Sequence, residues 1–255
     1  MTAFYLKLII TPLLMLSISL AGKRWGTHIA GLLSGLPVTS ALVMLFLSIE
    51  QGPRFASLAV PGALAGVAAI QATYLFYFTV TRHTSAVIGC VTALAFYVAV
   101  AFCMNGIGSL GVSIASTLLL VAVILSVTSK ACRSPSGRYV PAPAWIIPMR
   151  MLTATCLLLL ITASAQWLGP VASGFLAPIP VIAWPLAVFA HVQGGRSELA
   201  AIVRGNAIGA LGVVCFYLAL KMMVLQWGVY TAVATGVLLA VAATVLFARL
   251  ANKRQ

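Results

Sequence analysis

Carboxylates are the scarcest chemical resource in this chain: its 255 residues hold no aspartate and two glutamates, Glu50 and Glu198. Magnesium-dependent phosphoryl chemistry needs clustered carboxylates, and glycosyl transfer or hydrolysis needs a carboxylate pair. Neither can be assembled, so the expectation is that the chain is not an enzyme and has no catalytic residues. The five cysteines, Cys90, Cys103, Cys132, Cys156 and Cys215, show no CxxC spacing, and four lie within apolar runs where they serve as small packing residues. No disulfide framework, metal site or cofactor is expected.

The remaining polar side chains gather around two proline-interrupted stretches. Residues 31–52 read GLLSGLPVTSALVMLFLSIEQG, and residues 174–195 read GFLAPIPVIAWPLAVFAHVQGG. Thr39 and Ser40 follow Pro37; Trp184 follows Pro180; Ser48 has His191 as its counterpart, and Glu50 has Gln193. Hydroxyl, imidazole and amide groups beside a helix break can coordinate a polar solute or ion. Pro37, Thr39, Ser40, Pro180, Trp184 and His191 are therefore the candidate substrate pathway. Glu50, with Gln193 opposite, is the coupling candidate, because it is the one carboxylate of the first half able to carry a proton. Each has a plainer role beside this one. Thr39 and Ser40 can bond their own helix's carbonyls, Trp184 can be packing, and Glu50 and His191 can sit in the solvated interface near a helix end. Lys7 and Arg150 occupy equivalent places two turns inside their helices and are the anion-attracting candidates; snorkelling to headgroups is their plainer role. Arg204 and Lys221 are weaker candidates, since neither has a basic counterpart.

The elements that position these residues follow from composition and repetition. Hydrophobic residues make up 62% of the chain and charged ones 7%, and the mean hydropathy is +1.13, the signature of an integral membrane protein rather than a soluble domain. A net charge of +13 invites a nucleic-acid reading. The basic residues, however, fall between apolar runs without a basic-aromatic face, which fits membrane topology and no nucleic-acid partner. The two stretches quoted above align without a gap at an offset of 143 residues, Gly31 to Gly174. The same offset pairs Lys7 with Arg150, Gly26 with Gly169, Gly62 with Gly205, Gly66 with Gly209, Tyr74 with Tyr217 and Thr92 with Thr235. The chain reads as an internal duplication. The repeated GxxxG spacing reads as a helix-packing face.

A bilayer core needs about 20 apolar residues per helix. The apolar runs divide into nine candidates near 3–22, 28–49, 56–80, 84–104, 107–128, 144–166, 172–192, 198–224 and 228–248. The first could pass for a signal peptide, but its counterpart lies mid-chain, so it is expected to be a retained helix. The first four and last four form the two copies, and the fifth has no counterpart. The fold expected is all-α with nine transmembrane helices: a first four-helix repeat over 1–105, a connector helix and basic loop over 106–143, and a second, inverted four-helix repeat over 144–255. An odd connector sends the second copy in from the opposite side, the arrangement common in secondary transporters, where short Gly/Pro-interrupted segments in matching halves point to the binding site.

Over residues 29–52, Ile29, Ala30, Gly31, Leu32, Pro37, Glu50 and Gly52 resemble the GlpM-like family, small inner-membrane proteins of one repeat unit's length linked to alginate production in pseudomonads. The second copy departs from that pattern with Gln193 at the glutamate's place. The resemblance implies a role in the bacterial envelope and names no substrate. Two functions are carried forward: a secondary transporter, exporter or flippase for a small anionic metabolite or lipid phosphate, and a non-transporting membrane subunit supporting envelope polysaccharide synthesis. A polar cavity between the halves favours the first, and a sealed core with an apolar docking face favours the second.

Orientation follows from charge. With nine helices, Lys23, Arg24, Arg82, Lys130, Arg133, Arg138, Arg196, Arg249, Lys253 and Arg254 fall on one side, and Arg54 on the other. Cytoplasmic loops carry the positive excess, so the N-terminus is expected outside and the C-terminus in the cytoplasm of the inner membrane. Reporter fusions at Gln255 and near Arg133 should report cytoplasm, and one at Gly52 periplasm; a periplasmic Gln255 would require an even helix count and undo the inverted repeat.

Overall fold

The computed structural model describes residues 5–17, 20, 36–107, 109–129, 145–180 and 183–252. Among these residues the chain is all-helical: α1 (Tyr5–Ser17), α2 (Val38–Gln51), α3 (Pro53–Val80), α4 (Ala86–Ile107), α5 (Leu110–Ser129), α6 (Ile146–Leu176), α7 (Ala183–Met223) and α8 (Val229–Asn252). Five stretches, in α3, α5, α6, α7 and α8, are long and apolar enough to cross a membrane. Two helices carry sharp kinks at glycines with positive φ, α6 at Gly169 and α7 at Gly195. Dividing α6 and α7 there accommodates the nine expected segments, with one adjustment. The expected span 172–192 is a broken helix whose first half is the end of α6 and whose second half is the start of α7, separated at residues 177–182.

The offset of 143 recurs in the backbone. Pro53–Val80 matches residues 196–223 of α7, and α4 and α8 begin at the equivalent Ala86 and Val229. Gly52 (φ 92) and Gly195 (φ 76) stand at equivalent positions, each turning the chain into the next helix. Only glycine adopts this left-handed geometry without steric cost, so both copies rely on the same residue for the same corner. In the first copy Pro53 then opens α3, where its missing N–H has no intrahelical partner to lose.

The core joins the two halves rather than dividing them. One apolar cluster runs through α2, α3, α5, α6, α7 and α8 and includes Leu47, Leu64, Tyr74, Ile124, Leu158, Ile161, Phe216 and Tyr217. The division of the sequence at 106–143 therefore does not separate two cores. The equivalent helices α3 and 196–223 are the most buried spans, whereas α5 and α8 turn much of their surface outward. That outer surface is apolar, with Leu94, Leu119, Leu160, Trp167 and Leu238 all exposed.

Close backbone contact joins α3 to the end of α6, beside the packing of Phe175 on Ala65 and Ala69. A methyl group on Gly62 would collide with the Val171 carbonyl, one on Gly174 with the Ala59 carbonyl, and one on Gly66 would lie 2.5 Å from the Phe175 oxygen. The GxxxG of the first copy is thus the face on which the first half of the broken span lies. This is the small-residue packing used where helices meet in an apolar medium.

Candidate functional site

The start of α2 at Pro37 meets the break at Pro178 and Pro180. A cavity of about 40 Å³ is lined by Leu36, Thr39 and Ser40 from the start of α2, by Pro178 and Pro180 from the break between α6 and α7, and by Gln71 of α3 and Asn206 of α7. Val67, Ile70, Ala210 and Val213 complete the wall. Both breaks arise for the same local reason. Pro37 cannot donate to a preceding turn, and α2 begins directly after it with no side-chain cap. Pro178 and Pro180 interrupt the other helix, and the chain closes short turns there instead, Ala177 N–H to the Gly174 carbonyl at 3.0 Å and Ile179 N–H to the Leu176 carbonyl at 3.2 Å.

Gln71 and Asn206 bridge the halves across this cavity: the Gln71 side-chain amide donates to Asn206 Oδ1 at 3.1 Å, and both residues are almost fully buried. Gln71 Oε1 has no protein partner, and a buried unpaired carbonyl oxygen costs about 1–3 kcal/mol. The first N–H groups of a helix also lack intrahelical acceptors, and they carry the positive end of the helix dipole. At the α2 N-terminus the Val38 N–H is taken by the Leu36 carbonyl at 2.8 Å and the Ala41 N–H by the Pro37 carbonyl at 2.6 Å, which leaves the Thr39 and Ser40 N–H groups of two cavity-lining residues. Among the described residues no charged side chain lines the cavity. It combines a helix N-terminus, which suits an accepting group, with Gln71 Oε1, which accepts and so calls for a donor such as water or an acidic hydroxyl.

Of the residues singled out from the sequence, Thr39, Ser40 and Pro180 come together here, with Pro37 as the residue that starts α2. Trp184 lies next door. Its ring packs 5.5 Å from Tyr74 and 5.2 Å from Tyr77, and it lines a second, larger cavity that shares Ile70 and Pro180 with the first. His191 stands farther along α7, where its Nδ1 lies 3.1 Å from the Tyr77 hydroxyl. Aromatic packing from α3 thus holds both residues.

Lys7 and Glu50 form a separate unit. The Lys7 ammonium does not extend toward an outer surface; it lies 2.5 Å from the Glu50 carboxylate, donates to Thr162 Oγ1 at 2.7 Å, and sits 5.4 Å from the Phe46 ring. Its side chain is 5% exposed and that of Glu50 26%. The pair ties α1 to the last turn of α2 and to α6, and Lys7 offsets the unfavourable placement of a carboxylate at a helix C-terminus. An anion attracted to Lys7 would compete with Glu50. Arg204 likewise has a structural partner, donating from Nη1 to the Leu125 carbonyl at 3.0 Å and so fastening α7 to α5. The side chains of Arg150 and Gln193 lie outside the described residues, as do the whole of Gly31 and the first half of the span 28–49.

Gln71 and Asn206 were not among the sequence candidates, although a signal for each is present. Each is a lone amide within a long apolar stretch, AAIQATYLF and RGNAIGALG, and polar side chains inside such stretches are expensive unless turned to a partner or a cavity. The 143-residue offset concealed them, because Gln71 aligns with Val214 and Asn206 with Ala63. No family model, curated protein or solved structure matches the chain.

The ion pair makes a direct prediction. Glu50→Gln leaves the buried Lys7 ammonium with neutral acceptors and no counter-charge and should destabilise the fold by about 2–3 kcal/mol, below the full cost for a sealed pair because Glu50 is partly exposed. Thermal unfolding of the purified protein should show a lowered Tm for Glu50→Gln and recovery of most of the loss in Lys7→Met/Glu50→Gln. Equal Tm values for wild type and Glu50→Gln would show that the pair does not hold α1 in place.

Proposed function

We propose that the chain is a multi-pass protein of the bacterial inner membrane, with its N-terminus outside and its C-terminus in the cytoplasm. In this reading it works as a secondary transporter, exporter or flippase for a small anionic metabolite or a lipid phosphate. The observation that carries the reading is the meeting of the Pro37 start of α2 with the Pro178–Pro180 break, at equivalent positions of the sequence repeat, in one cavity that four polar residues help to line. Irregular backbone at membrane depth is tolerated where it is covered by protein or lines a wet cavity. Broken helices facing each other across an inverted repeat are how many transporters place substrate at the midplane. The five apolar spans and the apolar outer surface support residence in a bilayer.

In mechanism, the α2 N-terminus with Thr39 and Ser40 would receive the anionic group, and the Gln71–Asn206 bridge would fix its orientation and report occupancy between the halves. The close glycine contact between α3 and the end of α6 would hold those elements of the two halves together as one body, and alternating access would follow from movement of α2 and the start of α7 against it. The GlpM-like resemblance of residues 29–52 fits such a role in the envelope. The polar cavity between the breaks favours transport over a purely supporting subunit.

Comparison of a deletion strain with its parent by metabolite and lipid profiling tests the proposal. One anionic metabolite or lipid phosphate should change its distribution across the membrane. Complementation by Asn206→Leu at equal expression should restore roughly one-tenth or less of the wild-type flux, since the variant strands the Gln71 amide. An unchanged distribution in the deletion strain would overturn the reading.

A further inference from the structure

The polar cavity is too small to hold an organic solute by itself. Its volume of about 40 Å³ suits a few waters or the head of a larger molecule. Beyond Ile70 and Pro180, which form part of both walls, lies the second cavity, of about 300 Å³, bounded by α3, α4, α6 and the start of α7. Its walls are Ile70, Ala93, Leu94, Leu157, Ile179 and Trp184, with four polar residues among them, Thr73, Tyr74, Tyr97 and Thr153. Both threonines spend their hydroxyls on their own helices, Thr73 on the Ala69 carbonyl and Thr153 on the Met149 carbonyl, each at 2.8 Å. Among the described residues the tyrosine hydroxyls have no hydrogen-bond partner, although both oxygens are buried. On its outer rim Leu94 is 65% exposed on the apolar surface of α4, and Thr153 is exposed on α6.

An apolar space of this size, in the range of small-molecule sites, is not a favourable home for water. Its rim lies on the surface that the proposed function turns toward lipid, and its inner wall is shared with the polar cavity. A water-soluble anion would use the small cavity alone and leave the large one empty. A molecule with a polar head and one hydrocarbon chain fills both.

We infer that the substrate is a single-chain amphiphile, an alkyl or isoprenyl chain bearing a phosphate or carboxylate head, which enters sideways between α4 and α6. Its chain lies against Ala93, Leu157 and Trp184, and its head reaches the α2 N-terminus and Gln71. This inference rests on the reading of the two breaks as a substrate site and adds the substrate's class.

The test is photolabelling of the full chain in phosphatidylethanolamine–phosphatidylglycerol vesicles, with no gradient applied, by a long-chain alkyl phosphate carrying a diazirine near the chain terminus. Labels should concentrate on 93–97, 153–157 and 179–185. Ala93→Trp and Leu157→Trp, which fill the space from opposite walls, should each lower labelling by about tenfold, because the buried chain contacts are lost. Retained Tm in either variant separates this effect from misfolding. Unlabelled alkyl phosphate should compete about tenfold or more better than inorganic phosphate. Labelling scattered over the outer surface and unchanged in both variants, or equal competition by inorganic phosphate, would overturn the inference. Because the assay reads binding without net movement, site-specific labelling in a protein whose deletion moves no metabolite would uphold the amphiphile site and fail the transport reading alone. Transport of an anion that has no chain, without labelling, would do the reverse.

Discussion

Backbone polar groups in an apolar medium have nowhere to go but to one another, and here a helix begins at Pro37 and another is interrupted at Pro178 and Pro180 inside the packed core. Nearly every other feature can be understood as covering those breaks. The glycines of α3 let the first half of one broken span lie directly on the helix backbone, closing one side. The turns at 177–180 satisfy donors locally, and prolines there remove donors that would otherwise be stranded. The polar groups left over are collected into one cavity with two amides that bridge the halves. A sequence so poor in charge has few other ways to build a polar centre.

The two copies share a backbone plan without sharing chemistry. Gly52 and Gly195 make the same corner, and the helices that follow begin and end at equivalent residues. Yet each half contributes its amide from a position where the other half is apolar, Gln71 against Val214 and Asn206 against Ala63. The Lys7–Glu50 pair has Arg150 and Gln193 at the equivalent places, so the acid is present in one copy alone. The two halves thus share a backbone plan, and differences at single positions make their interior asymmetric.

Much of this was legible from residue types and spacing. Nine apolar runs and the 143-residue offset give the helical order, and paired prolines mark the breaks, because proline acts on its own backbone without help from tertiary partners. Thr39, Ser40 and Pro180 line one cavity for that reason. What could not be read was long-range partnership. The sequence spacing of Lys7 from Glu50 and from Thr162 carries no periodic signal, so the snorkelling expected of a lysine near a helix end gave way to a buried pair. Trp184 and His191 are candidates for the same pathway by their sequence proximity to the prolines. A helix turns about 100° per residue, and that rotation sends Trp184 to the neighbouring cavity and His191 to Tyr77. The large cavity had no sequence signature, because its walls are ordinary apolar residues whose incomplete packing appears only in three dimensions.

The central claim is that the meeting point of the two breaks is wet and reachable. Thr39→Cys, in a chain with Cys90, Cys103, Cys132, Cys156 and Cys215 replaced, tests it when reconstituted vesicles are treated with a membrane-impermeant maleimide from either side. The account predicts modification at Thr39→Cys from both sides, and none at Leu119→Cys on the apolar surface of α5. Silence at Thr39→Cys from both sides, with the protein folded and the reagent active on an exposed loop cysteine, would mean a dry core and leave the prolines to packing.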